Sequence, residues 1–104
     1  MDKYELYNAC RKGELEKIKQ NIPDLREIVN EKDNNGNICL HYACRCKFEK
    51  SIDVLKLLVE CGVNVNEKNE HGDTPLHIAS FKDNIKIVEY LIDNGALLDE
   101  QDIN

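Results

Sequence analysis

Three stretches of the chain carry apolar residues at helical spacing and then stop at a turn signal. In the first, Leu15, Ile18 and Ile22 form a single i, i+3, i+7 stripe in an otherwise polar run. That is the pattern of a helix with one buried and one wet face. In the second, Val54-Leu55-Lys56-Leu57-Leu58-Val59 is apolar almost all round, so this helix belongs between two neighbours. In the third, Ile85, Ile87, Val88, Tyr90, Leu91 and Ile92 occupy most sides of the helix. A shorter helical stretch precedes each, carrying a pair of small residues: Ala9-Cys10, Ala43-Cys44 and Ala79-Ser80. The pattern predicts helix pairs at 5–12 and 14–22, 40–46 and 52–60, and 76–81 and 85–93, hence an all-α chain. Pro23-Asp24 should break the first outer helix, and Leu25, Ile28 and Val29 should anchor the segment that follows. Gly62 and Gly95 sit where the second and third outer helices should end.

The same words return 36 residues apart. Asp33-Asn34-Asn35-Gly36-Asn37-Ile38-Cys39-Leu40-His41-Tyr42-Ala43 is matched by Asn69-Glu70-His71-Gly72-Asp73-Thr74-Pro75-Leu76-His77-Ile78-Ala79, with Gly, Leu, His and Ala in one register. Val29-Asn30-Glu31-Lys32 is matched by Val65-Asn66-Glu67-Lys68 at the same interval. A period of this size signals stacked units, each too small to bury its apolar face alone. Gly36 and Gly72 suit tight turns that need positive φ, so turns are expected at 33–37 and 69–73. Pro75 suits the first turn of a helix, and Thr74 before it suits an N-cap. Ala43 and Ala79 are small, as the close approach of neighbouring helices requires.

The second copy, Gly72-Asp73-Thr74-Pro75-Leu76-His77-Ile78-Ala79, an apolar second helix and then Gly95-Ala96, resembles the ankyrin repeat. The first copy is a worn version, with Ile38-Cys39 in place of Thr-Pro and Gly62-Val63 in place of Gly-Ala. The resemblance covers nearly the whole chain. It implies a solenoid of stacked helix-turn-helix units joined by β-hairpin-like turns. Residues 1–32 read as a degenerate N-terminal capping repeat, 33–68 as a second repeat and 69–101 as a third. Residues 102–104 would begin a further one, and the expectation is of an N-terminal fragment of a longer array. The first copy has three extra residues between its helices, around Phe48. A tolerated loop extension is favoured over an enlarged contact loop.

The resemblance also implies roles. His41 and His77 would hydrogen-bond backbone groups at the turns between repeats. Partners would be met by hairpin tips and by the exposed side of each first helix. Carried onto this sequence, the binding residues are Asn35, Asn37, His71 and Asp73 at the tips and Arg45, Cys46, Phe81 and Lys82 on the helices. Asn34 and Glu70 share those tips, and Arg11 and Lys12 correspond in the cap. Phe81 either stands exposed beside mixed charge, as hot spots do, or folds inward against the next helix.

Composition narrows the function. The 104 residues suffice for one small domain. Fourteen basic residues are dispersed among twenty acidic ones, for a formal charge of −6. That argues against nucleic acid and anionic membrane as partners and favours a protein with a basic surface. No apolar run approaches membrane-spanning length, and the first residues have no signal-peptide core. Five cysteines, an odd number, suggest reduced thiols in a cytosolic or nuclear setting.

Cys39-x-His41-x-x-Cys44-x-Cys46 has the residue types of a zinc site. Yet Cys44 and Cys46 would lie about 200° apart on one short helix and could not converge on one ion. No metal and no cofactor are expected. No phosphate loop, Gly-x-Ser-x-Gly or His-Glu-x-x-His occurs, and Cys39 with His77 makes a poor nucleophile–base pair. The reading is a non-catalytic protein-interaction module or scaffold. The alternatives are a regulatory or targeting array attached to a catalytic or channel domain, and a spacer that binds nothing.

Overall fold

The computed structural model describes residues 1–46 and 51–98. Seven helices follow one another among them, and no strand: α1 (Lys3–Lys12), α2 (Leu15–Lys19), α3 (Ile22–Ile28), α4 (Cys39–Ala43), α5 (Ser51–Glu60), α6 (Pro75–Phe81) and α7 (Ile85–Asp93). Helices α1, α4 and α6 lie side by side as an inner layer, and α2, α5 and α7 as an outer one. Each inner helix also packs on the outer helix that follows it, so the expected helix pairs form a stack.

Local chemistry starts the inner helices. The Asp2 carboxylate accepts the Glu5 backbone N–H at 2.9 Å, and the Glu5 carboxylate accepts that of Asp2 at 3.1 Å, a reciprocal capping box. Thr74 caps α6, its Oγ1 accepting the His77 N–H at 3.3 Å, with Pro75 in the first turn. In α4 the worn copy has no capping hydroxyl. There Ile38 donates its backbone N–H to His41 Nδ1 at 3.0 Å, while the Ile38 and Cys39 side chains are buried in the core. The worn copy has therefore exchanged a polar cap for apolar packing and kept the histidine.

The core runs the length of the stack. Leu6, Ile18, Leu25, Ile38, Leu40, Leu55, Leu58, Ile87 and Leu91 are all fully buried; burial of each stabilises the fold by about 1.5–3 kcal/mol. In α2, Leu15 and Ile18 face inward while Glu16, Lys17 and Lys19 face water, as the apolar stripe predicts. The other end differs. On and beyond α7, Ile85 is 64%, Leu97 68% and Leu98 73% exposed.

One element departs from the expectation. Pro23 does not simply terminate the first outer helix. That helix closes early, at Lys19, and Pro23 lies in the first turn of a separate helix, α3. A proline there sacrifices no intrahelical bond, and burial of Leu25 and Val29 holds α3 on the stack. Ile22, the last residue of the expected stripe, belongs to α3. Phe48 and the extra loop residues at 47–50, and residues 102–104, lie outside the described residues.

Candidate partner-binding face

The two hairpin tips are built alike by their first residue. Asp33 Oδ1 accepts the backbone N–H groups of Asn35 at 2.8 Å and Asn37 at 2.9 Å. Asn69 Oδ1 accepts those of His71 at 2.9 Å and Asp73 at 3.0 Å. These are Asx turns, in which a short polar side chain replaces a backbone acceptor. The tips are also joined to each other. Glu70 donates its N–H to the Asn35 carbonyl at 2.9 Å, and Asn69 Nδ2 donates to Asn37 Oδ1 at 2.9 Å. Burial works to raise the Asp33 carboxyl. Hydrogen bonds from the Tyr42 hydroxyl and from the Asn37 and Asn35 amides outweigh it and hold Asp33 below the ordinary carboxylate value.

His41 ties one repeat to the next. Its Nδ1 accepts from Ile38, so Nε2 carries the proton and donates to the Asp73 carbonyl at 3.0 Å. The ring is fully buried. Burial is the main cause that lowers its pKa below the ordinary histidine value, with the Asp73 carbonyl opposing. His77 Nδ1 accepts the Thr74 N–H at 2.9 Å, so both histidines bond turn backbone as the family pattern implies.

A second ligature went unread in the sequence. Asn30 Nδ2 donates to the Gly62 carbonyl at 3.0 Å, and its Oδ1 accepts the Asn64 N–H at 2.7 Å. One period later, Asn66 does the same to the Gly95 carbonyl at 3.1 Å and the Leu97 N–H at 2.9 Å. Each asparagine thus clips the end of the next repeat's outer helix. The signal was present in the repeat of Val-Asn-Glu-Lys, but nothing in the spacing said what the asparagine touched.

The candidate residues divide on exposure. Asn35, Arg45, His71, Phe81 and Lys82 are exposed and Asp73 is half-buried. Phe81 is 87% exposed, so it does not fold inward. Two expectations are corrected. Asn37 is only 5% exposed because its side chain is taken by Asn69 and its backbone by Asp33. Cys46 is likewise 5% exposed, its Sγ donating to the carbonyls of Cys10, at 3.0 Å, and Arg11. Neither can meet a partner through its side chain. The family resemblance placed Cys46 outward; the neighbouring helix end covers it.

The exposed side of the inner layer has an ordered pattern. Arg11, Arg45 and Phe81 hold equivalent positions, since each follows the Ala-Cys or Ala-Ser pair by one residue. Arg11 Nη2 donates to Asn8 Oδ1 at 2.8 Å. The Arg45 guanidinium lies 5.7 Å from the Tyr42 ring centroid, within cation–π range. Tyr42 stacks on Tyr7 with centroids 4.9 Å apart, and Tyr7 meets Tyr4 edge-on at 5.9 Å. Arg11, Arg45 and Lys82 thus put exposed cations on this side of a chain whose net charge is −6.

All five cysteines are buried as free thiols. The Cys10 thiol is pushed up by its hydrogen bond with Cys39 and by burial, and burial pushes Cys44 and Cys46 up as well. Cys39 is fully buried with its Sγ on the Val29 carbonyl at 3.2 Å. Among the described residues no group of three His, Cys, Asp or Glu side chains converges on a point that could hold a metal ion.

Comparison with known proteins agrees with the stack. The profile of the ankyrin repeats, in three copies, matches residues 6–102, and the chain belongs to the ankyrin-repeat family. Human BCL-6 corepressor-like protein 1 is 34% identical over 91 residues, which is 88% of this chain and 5% of that protein. The mouse serine/threonine-protein kinase TNNI3K is 32% identical over 94 residues, 88% of this chain and 11% of the kinase. Human transient receptor potential cation channel subfamily A member 1 is 32% identical over 99 residues, 93% of this chain and 8% of the channel. The chain thus spans about a tenth or less of the length of these three relatives. Ankyrin repeats are in general protein-interaction modules.

Proposed function

We propose that this repeat array is a non-catalytic interaction module or scaffold that holds a protein partner against its hairpin tips and the exposed side of its inner helices. The observation that carries the reading is Phe81. A phenylalanine 87% exposed at the end of an inner helix stands in register with two exposed arginines. Large, rigid and beside charge, it has the character of an interface anchor. Asn35, His71 and Asp73 at the tips and Arg45 and Lys82 on the helices complete the face. Five buried thiols suit a reducing compartment, cytosolic or nuclear.

A second reading has its own support. Two of the relatives are a kinase and a channel in which the matching repeats form a small part of the whole. In that setting the same face would serve a regulatory or targeting array beside a catalytic or channel domain.

The test begins with a displayed random-peptide library, from which ligands of the chain are selected and synthesised. Phe81→Ala combined with His71→Ala should weaken the selected ligands at least tenfold with no change in helicity. Lys17→Ala and Lys19→Ala, on the outer face of α2, should leave affinity unchanged. Ligands sensitive to the α2 substitutions and indifferent to Phe81 and His71 would move the interface to another face.

A further inference from the structure

Resting on the reading above, we infer that the inner-helix face takes an acidic segment of a partner in polyproline-II conformation, with carboxylates three residues apart and an apolar side chain three residues further on. The net charge favours a basic partner; the side chains on this face favour the opposite.

Charge comes first. Arg11, Lys12, Arg45 and Lys82 are all exposed, and among the described residues none has a carboxylate within 4 Å. Among the described residues, close pairs of basic and acidic groups fall elsewhere, Met1–Asp24, Lys19–Glu16, Lys32–Glu67 and His77–Asp73 among them. In a chain with twenty acidic residues and fourteen basic ones, four uncompensated cations on the ends of three neighbouring helices are not an average surface. Cations do complement the partial negative charge of a helix C-terminus, which accounts for Arg11 and Lys12 on the ten-residue α1. It accounts poorly for Arg45, beyond an α4 of five residues.

Both guanidiniums are also held by neutral props. Arg11 is fixed by the Asn8 amide and Arg45 by the Tyr42 ring, and Asn8 and Tyr42 are themselves equivalent positions. Neither prop neutralises the charge. A guanidinium stacked on a ring face keeps its N–H edge free for a carboxylate, which it can take in a fork.

Geometry then sets the ligand. Helices packed side by side stand about 8–10 Å apart, so Arg11, Arg45 and Phe81 form a row at that interval. A polyproline-II chain rises about 3.1 Å per residue with three residues per turn. It therefore presents every third side chain on one face at about 9 Å. A β-strand has a similar rise but turns residues i and i+3 to opposite faces. Carboxylates at i and i+3 meet Arg45 and Arg11, in either chain direction, and an apolar residue beyond the Arg45 end meets Phe81. A long polyanion such as single-stranded nucleic acid would instead meet the field of the whole chain at −6.

The probes are fluorescein-labelled peptides, Glu-Pro-Pro-Glu-Pro-Pro-Leu and its reverse, read by anisotropy against the whole 104-residue chain in low salt. At least one should bind. Replacing both Glu by Gln, or setting the two Glu adjacent, should weaken it tenfold or more. Arg45→Gln, Arg11→Gln and Phe81→Ala should each weaken it severalfold, and Arg45→Lys should recover only part. All three positions are exposed, and circular dichroism confirms that each variant folds. Equal binding of the Gln peptide, or tighter binding of an oligothymidylate, overturns the inference. Library-selected ligands that need Phe81 but lack acidic residues would overturn it too, while leaving the interaction face in place. Ligands indifferent to Phe81, Arg11 and Arg45 would remove both.

Discussion

The second and third repeats carry the same motif, and their matching residues bear different loads. His41 is fully buried and bridges Ile38 to the Asp73 carbonyl of the next repeat; His77 is half-buried, with its Nδ1 on Thr74 within its own repeat. Gly36 and Gly72 both have positive φ, 78° and 80°. A Cβ at Gly36 would stand 3.0 Å from the Glu70 amide nitrogen, whereas one at Gly72 would meet nothing within 4 Å among the described residues. Among the described residues the third repeat lies on the second. The motif is therefore one local instruction in two settings: in the second repeat the next hairpin presses on Gly36 and supplies the carbonyl that His41 meets.

The histidines should separate the two repeats most. His41→Ala strands the Ile38 amide and the Asp73 carbonyl in the interior and leaves a cavity, a loss of about 4 kcal/mol. His77→Ala should lose about 1–2 kcal/mol. Urea unfolding of both variants measures the gap, and equal losses would mean that the covering repeat adds nothing to His41.

The glycines come next. At both positions alanine must adopt a left-handed backbone, costing about 1–2 kcal/mol. Only Gly36→Ala also drives a methyl into the backbone of the adjacent hairpin, so its total should reach about 3 kcal/mol. Thermal melts of the two variants should differ by several degrees, with Gly36→Ala the lower.

Proton linkage gives a smaller, signed effect. His41 is held below its ordinary value, so the unfolded chain takes up that proton first, near pH 6.5. The stabilisation is complete above that pH and is lost as pH falls toward the folded value. Unfolding midpoints should therefore drop between pH 7 and 5.5, and His41→Gln should flatten this part of the profile. A slope unchanged in that variant would place the titrating group elsewhere.

The smallest change makes one hairpin resemble the other. Asp33→Asn copies Asn69, which builds the same turn. The exchange keeps the Asx turn but removes the oxygen that accepts the Tyr42 hydroxyl, so it should cost no more than about 1 kcal/mol at neutral pH by melting temperature. Asp33 is held below its ordinary value, so its stabilisation is present above about pH 4 and fades below it. The Asn variant should lose that acid-limb sensitivity and keep the rest.

Much of the fold was legible before any coordinates. The 36-residue echo, the three apolar rhythms and the turn glycines are local or periodic, and local chemistry decides them: a Thr74 cap, a Pro75 first turn, a positive φ at Gly36. Helix α3 was misread because proline both ends one helix and starts another, and only the burial of Leu25 and Val29 chooses between them.

The candidate face was legible in position but not in exposure. The register placed Arg45, Phe81 and Lys82 correctly on the open side of the inner layer. It could not show that Asn69 would take the Asn37 side chain, or that the end of α1 would cover Cys46. Nor could it show that Asn30 and Asn66 would clip the helix ends of the following repeats. Those are contacts across about 30 or more residues of chain. The sequence by itself determined what each repeat is, because caps, turns and apolar stripes act within a few residues. Only the tertiary structure decided which polar groups remain free for a partner, because that depends on which neighbour reaches them first.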